Sequence, residues 1–270
     1  MKSSNSVYSN EHLKYMNKIK KTRIAVKITQ VSILVGLLLI WEVAAYFKWI
    51  DPFIFSQPSK ILKTSWNMIL DGSLFIHTGV SLFETVLGFL LSTFLGTAIA
   101  VLLWWNNFVL KVSDPYLVII NSLPKTALAP ILIVWMGNNM KSILFTAILM
   151  SIVVTTLTVL SGFLEVDHDK IKLIETFGGG KKDILNKVIL PANVPTIINA
   201  LKVNVGLSLV GVMVGEFLVA QSGLGYLIIY GSQIFKLDWV MTSIVILIIL
   251  AALLYKAVLI LEKKFLKWRE

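Results

Sequence analysis

The sequence predicts an all-α, polytopic membrane protein with six transmembrane helices and both termini in the cytoplasm. Three observations support this fold class: the composition, the lengths of the apolar runs and the distribution of basic residues. Hydrophobic residues make up 56% of the 270-residue chain, and the mean hydropathy is +0.80. A water-soluble domain of this size has too little polar surface to cover so much apolar material.

Six apolar runs are each long enough to cross about 30 Å of hydrocarbon as a helix, which takes roughly 20 residues. They cover residues 28–47, 79–105, 115–135, 142–163, 197–219 and 240–261. The second contains Gly88 and Gly96 roughly on one side, which lets another helix approach closely. The third contains Pro124 and Pro130, which are tolerated only where protein or cavity water satisfies the freed carbonyls. The third run is therefore predicted to line a cavity.

Basic residues indicate the orientation, because lysines and arginines of short loops stay on the cytoplasmic side. They are concentrated before residue 28, in the loop 166–195 and after residue 262. If the chain crosses the membrane six times, all three basic regions lie on the same side of it, which is then the cytoplasmic side. The predicted divisions are a basic N-terminal tail (1–27), a transmembrane domain (28–262) that includes the loop, and a basic C-terminal tail (263–270). No signal peptide is predicted, because the first 27 residues are polar and basic.

Several classes of function are excluded by composition. The chain has no cysteine, so a disulfide framework, a thiolate metal site and a catalytic cysteine are impossible. The net charge of +10 would suit nucleic acid, but the basic residues flank apolar runs as membrane topology requires, so no nucleic-acid partner is expected. His77 and His168 have no companions at metal-ligand spacing, so no metal site is expected. No cluster of His, Ser and Asp at one membrane depth indicates an enzyme.

The loop 166–195 has the pattern of a helix, a sharp turn and a second helix. Gly178, Gly179 and Gly180 permit the turn, and Pro191 is expected to end or bend the second helix. Apolar residues at helical spacing predict both helices. They are Ile171, Ile174 and Phe177 in the first helix and Ile184, Leu185, Val188 and Ile189 in the second. The prediction is an elbow on the cytoplasmic face. From the residues alone, it is either a connector packed on itself or a surface that another protein binds.

Three motifs in this order resemble those of binding-protein-dependent ABC importer permeases, in the nitrate, sulfonate and taurine branch. The first is Gly178, nine residues, and then Val188, Ile189, Leu190 and Pro191. The second comprises Leu123, Pro124, Ala127, Pro130 and Trp135 to Gly137, and the third Gly215, Glu216 and Ser222 to Tyr226. The resemblance covers about residues 55–262.

Two departures from the family pattern change what the resemblance implies. Lys172, Leu173 and Ile174 stand where the family loop has Glu-Ala-Ala, so an acidic contact is missing unless Glu175 replaces it. Lys125 stands where a second proline is frequent. A charge there is costly unless it faces a cavity or a partner, or extends to the membrane interface. From the sequence, the Lys125 side chain can either face a central cavity or extend to the membrane interface, and both alternatives stay open.

The resemblance implies that the elbow binds a separate cytoplasmic ABC ATPase. The residues assigned to this coupling are Ile174, Phe177, Gly178, Lys181, Ile184, Leu185, Leu190 and Pro191. The chain has no Gly-x-x-x-x-Gly-Lys-Ser/Thr pattern, so it is expected to carry no cofactor, and ATP and Mg²⁺ belong to the partner ATPase. An extracytoplasmic substrate-binding protein, a homodimer and a bacterial plasma-membrane location are implied as well.

The translocation path is expected to lie along the third, fourth and fifth spans. Its candidate residues are Asn121, Ser122, Pro124, Lys125, Thr126, Asn204 and Ser208. The alternative for a membrane serine such as Ser208 is a hydrogen bond back to its own helix, without a role in transport.

The expected function is import, driven by ATP, of a small anionic solute of the sulfonate, taurine or nitrate type. Two alternatives remain. The same machinery would serve a neutral heteroaromatic vitamin precursor, and six spans with broken helices also fit an ion-coupled secondary transporter. The latter usually has an intramembrane carboxylate relay and internal repeats, neither of which the sequence shows convincingly.

Overall fold

The computed structural model describes residues 10–265, with side chains for residues 15–264. Within this range the chain forms α-helices and one π-helical turn, and no β-strand. The helices are α1 (Asn10–Tyr46), α2 (Pro58–Leu70), α3 (Ser73–Trp105), α4 (Asn107–Ser122), α5 (Lys125–Met136), α6 (Met140–Leu164), α7 (His168–Thr176), α8 (Lys181–Ile184), α9 (Leu190–Val219), α10 (Leu224–Gln233) and α11 (Leu237–Phe265). The all-α prediction is confirmed for this part of the chain.

Among residues 10–265, five helices are long and apolar enough to cross a membrane: α1, α3, α6, α9 and α11. The third predicted span is a broken pair, because α4 and α5 meet at an angle of 95°. The cause is Pro124, since the residue before a proline is driven out of the helical region. Leu123 accordingly has the extended values φ −67° and ψ 139°. The number of spans is six if the bent pair counts as one, as predicted.

The described chain divides into two units at Lys63. In the first unit, the apolar window of α1 is exposed along its length, as suits a helix surrounded by lipid. Residues 10–27, predicted as a tail, are helical and continuous with the first span, while residues 1–9 lie outside the described residues. The Glu42 carboxylate accepts hydrogen bonds from the Ser59 backbone N–H at 3.0 Å and hydroxyl at 2.8 Å.

The second unit has α3, α6 and α9 packed against one another at its centre. Gly96 shows how closely α3 and α6 approach, since a Cβ atom there would lie 2.7 Å from the Thr155 Cβ atom. A Cβ atom on Gly88 would lie 2.9 Å from that of Ala147, also on α6. The close helix contact predicted at these two glycines is confirmed.

The sequence predicts that Pro191 ends or bends the second elbow helix, and the structure shows that the helix does not end there. Instead, α8 continues through a π turn (Leu185–Ile189) into α9. Proline lacks an N–H and its ring crowds the carbonyl group four residues earlier, here that of Lys187. The helix widens at this point, and the Leu190 N–H donates to the carbonyl of Leu185, five residues back. The second elbow helix and the fifth span are thus one continuous helix.

Candidate functional site

One side of the elbow is part of the protein core. Ile184 and Leu185 are 6% and 8% exposed, and Ile189 is fully buried. They belong to one apolar cluster with Val159 and Phe163 of α6. Because Ile184 and Leu185 point into their own subunit, the structure places them beneath the surface that a partner would touch.

The opposite side of the elbow presents an apolar tip. The Phe177 side chain is 82% exposed, and Leu173, one turn earlier, is 56% exposed. Gly178 follows with φ +78°, the left-handed conformation in which a helix commonly ends at glycine. Gly179 packs directly on Ile174, leaving no room for a side chain at position 179. The turn therefore holds Phe177 outward.

Lys181 anchors the elbow to the end of α3. Its ammonium group donates to the Trp105 carbonyl at 2.5 Å and lies 5.8 Å from the ring centroids of Trp104 and Trp105. Nearby, Lys187 forms an ion pair of 2.7 Å with Asp183. Of the remaining predicted coupling residues, Leu190 is half-buried and Pro191 is exposed.

One group of the residues predicted to line the translocation path lies at the break between α4 and α5. Asn121, Ser122, Pro124 and Thr126 are exposed, and Lys125 is half-buried. The Lys125 ammonium reaches back to Asn121, with 3.2 Å to its carbonyl and 3.3 Å to its side-chain oxygen. A positive charge therefore compensates the negative end of the α4 dipole.

The other predicted path residues lie inside the helix packing. The Asn204 amide nitrogen is 2.7 Å from the hydroxyl groups of both Thr93 and Thr155, which connects α9 to α3 and α6. The Ser208 hydroxyl lies 3.4 Å from that of Ser151. Asn204 and Ser208 are both fully buried, whereas the residues at the break are largely exposed. The described part of the chain does not bring the two groups together, and a role in the path stays a prediction for both.

Sequence reasoning did not identify the loop between α9 and α10 as a structured site. Glu216 places its carboxylate at the start of α10, where Oε1 accepts from the Ser81 hydroxyl and Oε2 from the Gly225 N–H, both at 2.6 Å. Ser81 also accepts from the Leu224 N–H at 2.7 Å, and the Gly223 N–H donates to His77 Nδ1 at 3.0 Å. The carboxylate of α9 thus caps the following helix, α10.

The third motif is explained by this carboxylate. Gly223 has φ +120°, and a side chain there would overlap the Glu216 carboxyl group. A Cβ atom on Gly225 would lie 2.8 Å from the Glu216 Cβ atom. The signal in the sequence was therefore the glutamate followed, seven and nine residues later, by two glycines that leave room for it.

A broken helix pair and a bundle of long apolar helices together indicate a multi-pass membrane protein. Residues 88–267 match the family of binding-protein-dependent transport system inner membrane components, and the chain belongs to this family. It is a multi-pass membrane permease subunit of an ABC transporter, a transport component and not an enzyme. Subunits of this family work with an ATPase and a binding protein.

Three of the curated relatives are named for different solutes. The chain is 29% identical over 230 residues to SsuC of Bacillus subtilis, named as a transport permease for aliphatic sulfonates, covering 85% of this chain and 83% of SsuC. It is 29% identical to the formylaminopyrimidine transport permease ThiX of Halalkalibacterium halodurans, covering 87% and 93%. It is 23% identical to the taurine transport system permease TauC of Escherichia coli, covering 88% and 90%.

Solved structures share the fold. An inward-facing form of the MetNI methionine ABC transporter superposes with a TM-score of 0.59 at 21% identity, covering 68% of this chain and 93% of the other. An amino acid ABC transporter crystallised with histidines gives a TM-score of 0.59 at 16% identity, covering 74% and 97%. These similarities support the fold class.

Proposed function

We propose that two copies of this chain form the translocation path of an importer, and that a cytoplasmic ATPase pair drives it by binding the elbow. The observation that carries this proposal is the Phe177 side chain, which is 82% exposed at the turn between α7 and α8. With Leu173, 56% exposed one turn earlier, Phe177 forms an exposed apolar patch, and exposed patches and aromatic side chains are frequent at binding surfaces. In this proposal, the elbow is cytoplasmic and ATP and Mg²⁺ bind to the ATPase.

The homodimer is supported by the broken helix pair. None of the side chains of α4 is buried within the chain, although α4 is apolar over much of its length. A purely apolar surface can face lipid, but a break in the backbone at membrane depth must be covered by protein or by cavity water. A second copy of the chain would supply the covering protein, and a central path would supply the cavity water. The break at Leu123 and Pro124 would then lie near the two-fold axis of the dimer.

The relatives favour a sulfonate-like solute such as taurine. Lys125 provides a fixed positive charge beside the break, which suits a sulfonate anion. The relative named for formylaminopyrimidine is as similar to the chain as the relative named for sulfonates, which supports a neutral heteroaromatic solute as a second candidate. The two candidates differ in whether removal of the Lys125 charge reduces uptake.

Co-purification from membranes tests the elbow. Phe177→Ala should lower recovery of the cognate ATPase at least about tenfold, since a central aromatic contact contributes about 2 kcal/mol or more. Phe75→Ala is the matched control, because Phe75 is 67% exposed and begins α3 at the end away from Trp105. Equal recovery with both variants would show that the elbow is only a connector.

Uptake into proteoliposomes tests the energy source and the solute. With the ATPase and binding protein present, taurine uptake should require ATP and continue when ion gradients are collapsed. Lys125→Ala should reduce taurine uptake and leave complex assembly unchanged. Loss of uptake on collapse of the gradient, with ATP maintained, would instead establish ion coupling.

A further inference from the structure

A polar cavity of about 250 Å³ lies at the end of the bundle opposite to the elbow. Its walls come from α3, the turn before α6, and the end of α9 with the loop that follows. The elbow joins the other ends of α6 and α9, so the two sites are separated by the length of these helices. The polar residues used below are Glu84, Asn138, Gln221 and Ser222, and the apolar ones Ile143 and Val219.

Glu84 is the one carboxylate that lines this cavity among the described residues. Its side chain is 3% exposed, and its Oε2 atom has no hydrogen-bond partner in the described part of the chain. The neighbouring Glu216 differs, because both of its oxygens are held by Ser81 and Gly225. A buried carboxylate oxygen without a partner costs free energy, which a donor bound in the cavity would recover.

A cation with N–H donors would suit this carboxyl group. A carboxylate only accepts hydrogen bonds. The Glu84 carboxyl group interacts electrostatically with that of Glu216, and two such groups in a buried position favour a proton or another positive charge beside them. None of the nine lining residues, all within the described chain, is basic, so a cation other than a proton would have to come from outside the chain.

The size and the remaining walls indicate an organic cation. The volume accommodates several groups of the size of a water molecule, about 30 Å³ each. The described residues contain no group of three His, Asp or Glu side chains that would hold a metal ion. The side-chain oxygens of Asn138, Gln221 and Ser222 can accept further N–H bonds, while Ile143 and Val219 provide apolar contact for a short carbon chain.

We propose that this cavity binds the primary ammonium group of a small organic molecule, with Glu84 as its counter-charge. Two sources share this chemistry: the ammonium group of the transported solute, and a free amine from the medium. The first source rests on the proposed function, because it requires that the chain transports an amine such as taurine. The binding site itself does not depend on that function.

Calorimetric titration of the purified chain in lipid nanodiscs with ethylammonium tests the site. Glu84→Gln keeps the shape and removes the charge, and should weaken binding at least about tenfold, the effect of losing one charge-assisted hydrogen bond. Glu165→Gln is the control, since Glu165 is an exposed carboxylate at the far end of α6 and should leave binding unchanged. Ethanol, of similar size and uncharged, should not bind.

A second variant keeps the test decisive if Glu84→Gln fails to fold. Asn138→Lys introduces an ammonium group at an exposed position in the cavity wall and should abolish ethylammonium binding by occupying the carboxylate. Absence of ethylammonium binding to the wild-type chain, or equal affinity in a folded Glu84→Gln or Asn138→Lys variant, would overturn the proposal.

Uptake assays with the assembled transporter identify the source of the ammonium group. Taurine and isethionate share a sulfonate and differ in having an amine or a hydroxyl group. Loss of taurine uptake in Glu84→Gln with isethionate uptake retained would support the solute as the source, and equal effects on both would support a free amine. Glu84-dependent ethylammonium binding without uptake of either solute by the wild type would leave the site standing and reject a sulfonate as the transported solute.

Discussion

At the scale of single residues, the loop after α9 depends on a few short polar contacts. The Ser81 hydroxyl donates to Glu216 and accepts from the Leu224 N–H, at 2.6 and 2.7 Å. Gly223 provides a backbone conformation that other residues rarely adopt. These contacts explain why a glutamate, a serine on another helix and two glycines occur together.

Replacing Gly223 by alanine should destabilise the protein by about 2 kcal/mol or more. A non-glycine residue in such a backbone conformation costs on the order of 1–3 kcal/mol, and the new methyl group overlaps the Glu216 carboxyl. The measurement is the apparent Tm in detergent, expected to fall by several degrees. Gly79→Ala is the control, because Gly79 has open space and ordinary backbone angles, and it should be neutral or slightly stabilising.

Replacing Ser81 by alanine should cost about 2–4 kcal/mol, because it leaves a buried carboxylate oxygen and a buried N–H without partners. Ser92 is an equally buried serine of the same helix, but its hydroxyl only bonds to the Phe89 carbonyl of α3 at 3.1 Å. Ser92→Ala should therefore cost less than about 1 kcal/mol. Similar Tm values for the two variants would show that the loop does not depend on Ser81.

At the scale of elements, the elbow has a buried side and an exposed side. Leu185→Ala should lower the free energy of unfolding by about 2–4 kcal/mol, since Leu185 is 8% exposed within an apolar cluster. Leu173→Ala removes the same atoms from a side chain that is 56% exposed and should change stability by less than about 0.5 kcal/mol. Thermal unfolding of the two variants compares them directly, and equal losses would contradict the orientation.

The sequence was sufficient to predict the helices, but not which side chains of different helices contact one another. Apolar runs located the spans, and Pro124 located the break between α4 and α5, because both are local effects. The faces of the elbow were harder, since Leu185 and Phe177 are both apolar and only the position of α6 decides which one is covered. The role of Glu216 required a contact with Ser81, 135 positions away, which no local pattern reveals.

At the scale of the whole molecule, the proposed dimer can be tested by disulfide cross-linking. The chain has no native cysteine, so an introduced cysteine is the only thiol that can react. A single cysteine at position 119 of α4, where Ile119 is 59% exposed, should form a disulfide-linked species of twice the 30.2 kDa chain mass under mild oxidation. A cysteine in place of Phe94, 71% exposed on α3, is the control and should remain largely monomeric. Gel electrophoresis without reductant measures both, and efficient linkage only at position 94 would contradict the proposed interface.

The continuity of α8, the π turn and α9 has a mechanical consequence. Residues Lys181–Val219 form one helical path of 39 residues, on the order of 60 Å long at 1.5 Å per residue. It begins beside the elbow tip and ends beside Glu216 and the Glu84 cavity. Kinks in helices occur at prolines and π turns, so bending is expected near Leu185–Ile189 and Pro195. Beyond Pro195 a helix resists bending more than a loop does, and a tilt of this part of α9 about its buried middle would displace its two ends in opposite directions.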